Sequence, residues 1–445
     1  MKSYQPQEPP SLLTPTESQK DGEACFKWKW AEAAVWTTRM LAALVTGLKG
    51  SKWYRLIDKV WSPKNLRSAL EKVVRNGGSA GIDHQSVRWV QVRQKEIIAK
   101  LERELREGSY EPQPLRRVWI EKTGSKERRP LGIPTVRDRI VQGALRHVLE
   151  PIFERIFAPQ SYGFRPGRGC RQALRRVDER LKKGCWWVVD LDLKAYFDTI
   201  PHERLMERVG EQVADGRVLE LLRLFLKAGV MEGTKGWQPT ESGTPQGAII
   251  SPLLSNIYLN PLDWLMEGLG IEMVRYADDA VILCRSEEEA KAALEKVQRW
   301  VEEADLTLHP QKTRIVNASL PGGFDFLGYH FERGRKWPRK KSMDRLKDTI
   351  RAKTRRNNGK SLKRVCASLK PMLRGWFGYF KHSPRHVFAA VDGFIRGRLR
   401  SMLRRRQHRK GRARLRESRL WPKEYFSAHG LYSLHDAHVA VCRSS

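Results

Sequence analysis

Acidic residues are what this chain is short of. Its 445 residues hold 50 Asp and Glu against 84 Lys and Arg, a formal net charge of +34. Cysteine is also scarce: the six, at positions 25, 170, 185, 284, 366 and 442, show no Cys-x-x-Cys spacing. A disulfide framework and a structural zinc site are therefore not expected, and the chain reads as a reduced, cytoplasmic protein. Long apolar runs are missing as well. The first candidate, from Ala31 to Leu48, is interrupted by Glu32 and Arg39, and neither spans a membrane nor resembles a signal peptide. No internal repeat is visible. The surplus of positive charge implies a polyanionic partner, since each phosphate neutralised releases a counterion.

That surplus is concentrated. Residues 333 to 416 contain 30 Lys and Arg but only 3 Asp and Glu, which places +27 of the net charge in one segment and leaves the rest close to balanced. A body of modest charge is thus followed by a basic module able to grip a phosphate backbone. Ahead of the body, residues 1–25 are rich in Pro, Gln, Ser and Thr and read as a disordered leader. Residues 26–110 have helical spacing, with Trp28, Trp30, Trp36 and Trp53 as core anchors. One helix starts at Ser62-Pro63 and stops at Asn76-Gly77 by cap-and-proline logic. A basic hairpin follows over 114–134, whose Lys122 and Arg129 suit a triphosphate. Ser161 to Cys170 is a Gly/Arg loop in which Arg165 and Arg168 would complement phosphates. The order of strands and helices beyond it predicts an α+β fold with helices on one face of the sheet. Phe324 to His330 reads as one strand, and the chain beyond Arg333 as helical to Arg406.

The chemistry is carried by aspartates. Tyr276-Ala277-Asp278-Asp279 lies between two apolar, strand-like runs, and adjacent carboxylates there repel unless a cation compensates them. Asp-Asp is also an ordinary turn sequence. A second cluster changes the balance: Val188, Asp190 and Asp192 alternate with Val189, Leu191 and Leu193, so both aspartates lie on one face of a buried strand. Three aspartates from two strands meet the demand of two-metal phosphoryl transfer, with magnesium as the hard cation suited to oxygen ligands.

Taken together, Tyr276-Ala277-Asp278-Asp279 and Asp192-Leu193-Lys194-Ala195-Tyr196-Phe197-Asp198 resemble the palm of reverse transcriptases, and more specifically a bacterial group II intron reverse transcriptase/maturase. Further blocks stand in the family's order: Arg129 to Pro134, Tyr162 to Pro166, Thr244 to Gly247 through Ser251-Pro252, His309 to Thr313, Phe326 to Tyr329, and Arg374 to Phe380. The resemblance covers roughly 62–435. It implies a right-hand polymerase: start of the fingers within 26–110, fingers and palm over 111–335, a helical, basic thumb (maturase domain X) over 336–406, and a basic tail over 407–445.

It also implies roles. Asp192, Asp278 and Asp279 would hold two Mg2+ ions, with Asp190 and Asp198 more structural. Tyr196 would be the aromatic that rejects a ribose 2′-hydroxyl, with Phe197 as competitor. Lys122, Arg129, Gln246 and Lys312 would bind the incoming nucleotide, and Arg165, Arg168, Arg374, Trp376, Tyr379, Lys381, Arg404 and Arg405 the nucleic acid. The implied partners are intron RNA, an RNA template with DNA primer, target DNA and dNTPs, in a nucleoid- or ribonucleoprotein-associated bacterial protein without membrane contact. A homodimer is compatible with the sequence but not specified by it. Many members carry an HNH endonuclease with Cys pairs, whereas the tail here has a single Cys442, so endonuclease activity is not expected. The alternatives are a retron, diversity-generating or phage-defence reverse transcriptase, or an RNA-binding splicing cofactor that no longer polymerises.

Overall fold

The carboxylates sit at one end of a four-stranded antiparallel sheet in the computed structural model, which describes residues 27–46, 52–121, 128–233, 236–357, 359–408 and 415–443. The leader over 1–25 and Lys122 lie outside the described residues. Strands are numbered along the chain: β1 (Leu115–Glu121), β2 (Arg128–Ile133), β3 (Trp187–Asp192), β4 (Val230–Glu232), β5 (Gly236–Gln238), β6 (Glu272–Tyr276), β7 (Asp279–Cys284), β8 (Arg314–Asn317), β9 (Phe324–Phe326), β10 (Tyr329–Glu332) and β11 (Arg335–Pro338). They form three sheets, of order β6-β7-β3-β8, β2-β1-β4-β5 and β11-β10-β9.

Period-two patterning explains how the first sheet is held. Val189 and Leu191 of β3, with Met273, Ala280, Ile282 and Cys284, join the main core, which also takes in helices Ser251–Gly268 and Glu287–Glu303. On the other face, Val188, Val274, Val281 and Leu283 pack against helix Cys170–Lys182 and the aromatic side of the β9–β11 sheet. Helices therefore cover both faces, which corrects the one-sided expectation. The acidic end of β3 extends past this second apolar cover, so Asp190 and Asp192 emerge from the same face that Val188 buries.

Local signals define several helices. Helix Pro63–Asn76 begins with its proline and ends where Gly77 turns to φ +65°. Helix Glu287–Glu303 is capped by Ser286, whose side chain accepts from the Glu289 amide, and carries three glutamates in its first turn. In the basic C-terminal unit, Leu362, Val365, Cys366, Leu369 and Leu373 share one face of helix Leu362–Phe380. They pack on Val391, Ile395, Leu399 and Met402 of helix Arg385–Arg406 to make a separate core.

Two further expectations are corrected. Phe324 to His330 is not one strand: Leu327 (φ +46°) and Gly328 (φ +86°) fold it into the β9–β10 hairpin. The basic segment beyond Arg333 also begins with β11, not helix, because Glu332↔Arg335 through Tyr329↔Pro338 pair it onto β10. The described cysteines, Cys170, Cys185, Cys284, Cys366 and Cys442, are all free thiols, and no described helix is long and apolar enough to cross a membrane.

One buried ion pair ties the sheet to its helices. Arg275 of β6 is 1% exposed and Asp263, within helix Ser251–Gly268, is 0% exposed. The Arg275 guanidinium binds both Asp263 oxygens, with Nε donating to Oδ1 at 2.7 Å, and Nη1 donates to Asn256 Oδ1 at 3.0 Å and to the Ala277 carbonyl at 2.9 Å. Removing one partner would strand the other charge in the core. Arg275→Met is expected to lower unfolding free energy by about 3–5 kcal/mol, read as a shift in the urea midpoint; an unchanged midpoint would show that the pair holds nothing together.

Candidate active site

Register decides which acids meet. β3 and β7 pair with Asp192 directly opposite Asp279, and β6 and β7 close with Tyr276 opposite Asp279. Residues directly opposite in an antiparallel pair share a face, so Asp190, Asp192 and Asp279 project together. Asp278 occupies the tight turn beside them, next to Ala277 at φ +59°, a strained conformation for a residue with a Cβ. The surroundings hold that turn in place. Gly163 packs so closely that an added Cβ would lie 2.2 Å from the Ala277 nitrogen, while its carbonyl accepts from Asn256 Nδ2 at 2.8 Å. The amide of Tyr162 donates to the Arg275 carbonyl at 2.9 Å, and the Arg275 amide to the Gln160 carbonyl at 3.1 Å.

The cost of this gathering appears in the titration of the acids. Burial, reinforced by Asp278 and Asp192, pushes Asp279 up to about 6. Burial likewise pushes Asp190 up to about 6 against the opposing Arg314, whose Nε lies 3.5 Å from Asp190 Oδ2. Asp278 is raised by burial and by Asp192, with Arg129 and Arg275 opposing. Two unit charges about 5 Å apart at an effective dielectric of about 20 repel by roughly 3 kcal/mol, which adds to the desolvation that leads in raising these acids. Lys312 meets part of the negative charge: its Nζ lies 3.1 and 3.2 Å from the two Asp192 oxygens. The His309 amide also donates to the Asp192 carbonyl at 2.7 Å, anchoring the loop that delivers Lys312.

Among the described residues no three His, Cys, Asp or Glu side chains are already drawn into a metal cage. Lys312 and Arg314 engage Asp192 and Asp190 instead. The donor set still fits a hard divalent cation: clustered carboxylate oxygens with excess negative charge and no soft ligand among them.

A cavity of about 510 Å3, of a size suited to a small ligand, is bounded by β1, β2, β4, the residues after β3 and the 239–245 loop; its acids are Asp198, Glu232 and Glu241, and none of Asp192, Asp278 and Asp279 lines it. Arg117, Trp119, Gly132, Phe197, Asp198 and Pro245 line it. Here the expectation for Tyr196 is corrected. Its ring is 2% exposed and its hydroxyl donates to the Ser255 carbonyl at 2.7 Å, so it faces the core. Left-handed Ala195 (φ +49°) starts a short helix, Tyr196–Thr199, that turns Tyr196 inward and leaves half-buried Phe197 on the cavity wall. Asp198 stands at its edge, where partial loss of solvent around the carboxyl raises its pKa and Arg117 and Arg129 oppose the rise. Exposed Arg129 extends from β2, and the carbonyl of half-buried Gln246 accepts from the Gly132 amide at 2.8 Å, joining the 244–247 loop to the hairpin.

Arg165 is a second correction. It is 6% exposed and engaged by Glu154 at 2.8–3.1 Å and by the Ala158 and Ser161 carbonyls, so no face remains for phosphate. The Gly/Arg loop thus buttresses the acidic turn. Arg168 lies over the Tyr162 ring and binds the Pro159 carbonyl. Trp376 and Tyr379 serve packing: Trp376 stacks near Phe380, and the Tyr379 hydroxyl donates to the Leu327 carbonyl at 2.6 Å. Arg404 binds Glu417 at 2.7 Å, which withdraws much of its charge from solvent, whereas Arg374 and Arg405 are exposed and Lys381 is half-buried. Sequence reading missed Arg275, Asp263, Asn256, Arg117 and Trp119. The signal for the first two was a charge of each sign inside otherwise apolar elements.

Residues 120–331 match the family described as reverse transcriptase (RNA-dependent DNA polymerase), and residues 343–421 the group II intron, maturase-specific domain. The chain is 34% identical over 323 residues to Protein YkfC of Escherichia coli K12, which covers 63% of this chain and 84% of that protein. It is 43% identical over 189 residues to Group II intron-encoded protein LtrA of Lactococcus lactis subsp. cremoris, covering 42% of this chain and 31% of the relative. It is 26% identical over 225 residues to Nuclear intron maturase 3, mitochondrial, of Arabidopsis thaliana, covering 50% and 29%. The chain thus spans about a third of the length of the Lactococcus relatives it matches.

The raised acids set a pH dependence with a definite sign. A carboxylate whose pKa is higher in the folded state favours folding at low pH, and that contribution is lost as pH rises through the folded value. For Asp279 the window runs from 3.8 to about 6. Asp279→Asn is expected to raise the melting temperature of the metal-free protein at pH 7.5 and leave it unchanged at pH 3.5. A drop at both pH values would contradict the repulsion.

Proposed function

The chain belongs to the group II intron reverse transcriptase/maturase family, and from that premise we propose that it copies an RNA template into DNA at the β3–β7 carboxylates and clamps intron RNA through its basic C-terminal unit. The observation that carries this reading is the pairing of Asp192 with Asp279 beside Asp278. On this reading fingers and palm occupy 111–335, the thumb 336–406 and a basic tail 407–445.

Asp192, Asp278 and Asp279 would hold two magnesium ions, which when bound supply activation of the primer 3′-hydroxyl and neutralisation of the leaving pyrophosphate. The protein's own share is positioning and charge. Arg129 holds the triphosphate together with Lys122, and Arg117, on the cavity wall, adds to that grip. Phe197 takes the sugar-facing place that Tyr196 vacates by its burial, and an aromatic wall without a hydrogen-bond partner rejects a ribose. Gln246 fixes the loop that packs beside the incoming nucleotide. Lys312 screens Asp192 in the free enzyme and stands ready to meet phosphate charge or donate a proton to the leaving group. Exposed Arg374 and Arg405, with the other cations beyond Arg333, bind the RNA partner by its phosphates and shape. Intron RNA, primed template, dNTPs and target DNA are the partners this assigns.

Primer extension on an RNA template with dNTPs and magnesium tests the reading. Asp278→Ala is expected to reduce DNA synthesis to background while RNA affinity stays near wild type; persistent synthesis by the purified variant would refute the site. Phe197→Val is expected to raise incorporation of ribonucleotides relative to deoxynucleotides by roughly 10- to 200-fold, whereas an unchanged ratio would return the role to another side chain.

A further inference from the structure

Where helix Cys170–Lys182 meets the end of helix Leu362–Phe380, the surface folds inward into a cavity of about 280 Å3. Its charged lining is Arg171, Arg175, Asp178, Lys336, Lys381 and His382. Arg171, Arg175 and Asp178 come from the palm side, one helical turn apart on a single face, and Lys336 from β11 at the start of the thumb. Lys381 and His382 come from the thumb, just past its central helix.

The only carboxylate in this lining is already committed. Asp178 Oδ2 lies 2.9 Å from Lys336 Nζ, and Lys182 approaches the same oxygen at 3.8 Å. Arg171 donates to the Gly378 carbonyl at 3.1 Å, a neutral acceptor. Among the described residues neither Arg175 nor Lys381 has a carboxylate partner. The positive field is felt by His382, which burial, Lys336 and Lys381 together hold below its ordinary value. Cations from two structural units thus face one another across a seam, an arrangement that repels unless an anion enters.

The chemistry selects the anion. Two guanidinium forks and an ammonium converge, the combination that grips phosphate oxygens. A water molecule takes about 30 Å3 of liquid volume, so the cavity admits a phosphate with flanking sugar atoms. Lys381 and Lys336 also belong to the segment over 333–416 that carries +27 of the net charge. We propose that this palm–thumb cavity is a phosphate-binding site filled by a phosphodiester of bound RNA, which bridges the two units. The proposal rests on the reading of this chain as an RNA-binding polymerase.

Arg175→Gln, Lys381→Gln and the double variant test it in the full chain, with Lys296→Gln, exposed on helix Glu287–Glu303, as control. Binding of a structured RNA is measured across a salt series. The log–log slope is expected to fall by about one for each cavity substitution and to stay at the wild-type value for the control. Because the substitutions relieve repulsion, the RNA-free melting temperature of the double variant is expected to equal or exceed wild type. An unchanged slope overturns the proposal, and so does a lowered melting temperature with an unchanged slope, which would mark a structural brace. Stabilisation of wild type by inorganic phosphate, lost in the double variant while the RNA slope stays the same, would overturn the RNA assignment in favour of a free anion. Primer extension by the wild-type preparation is read separately: its absence would sink the polymerase reading and leave the slope result standing.

Discussion

Asp192 faces Asp279 across two adjacent strands, and that repulsion is the constraint the rest of the molecule is organised to withstand. Like charges directly opposite destabilise a sheet. The pairing persists because both faces of the sheet are overdetermined. One face buries Val189, Leu191, Ile282 and Cys284 under two helices, and the other buries Val188, Val281 and Leu283 under a third helix and an aromatic sheet. A one-residue slip would exchange these sets and bury the aspartates. Arg275 adds a further tie by joining Asp263, Asn256 and the Ala277 carbonyl, so the acidic turn is fixed from beneath. Gly163 closes the side, since any Cβ there would collide with the turn's backbone. Stability stored in these contacts offsets charge held in readiness for a cation.

The basic unit follows a complementary logic. Its helices turn Val365, Leu369, Leu373, Ile395 and Leu399 inward to a core of their own, which leaves the cations outside. Aromatic contacts join it to the sheet: Tyr329 lies 4.9 Å from Phe380, and the Tyr329 hydroxyl donates to the Tyr379 carbonyl at 2.7 Å. Trp376 and Tyr379, to which the family resemblance gave nucleic-acid contact, are part of this joint. Positive charge is thereby delivered close to the acids, and Arg339 at the junction already draws on Asp279.

Much of this was legible in the sequence where one physical rule acted alone. The alternation around Asp190 and Asp192 and the proline and glycine that bound helix Pro63–Asn76 each acted locally and unopposed. What escaped depended on partners distant in sequence or on unusual backbone. The β9–β10 hairpin turns on Leu327 in a left-handed conformation, for which leucine is a poor signal. Tyr196 and Phe197 exchanged places because Ala195 is also left-handed, a twist that spacing alone does not reveal. Arg165 looked like a phosphate ligand in a glycine-rich loop, yet Glu154, eleven positions earlier, captures it once the preceding helix folds.

Calorimetric titration of magnesium into the wild-type chain bound to an RNA template with a dideoxy-terminated primer and a dNTP tests the central claim most directly, with the Asp192→Asn/Asp279→Asn double variant alongside. The heats are corrected for magnesium binding by the nucleic acid and nucleotide alone. The account predicts saturable binding by wild type that weakens as pH falls through about 6, where Asp279 takes up its proton, and loss of that binding in the variant. Equal isotherms for the two proteins would contradict it, because the opposed aspartates would then be holding their charge for something other than a cation.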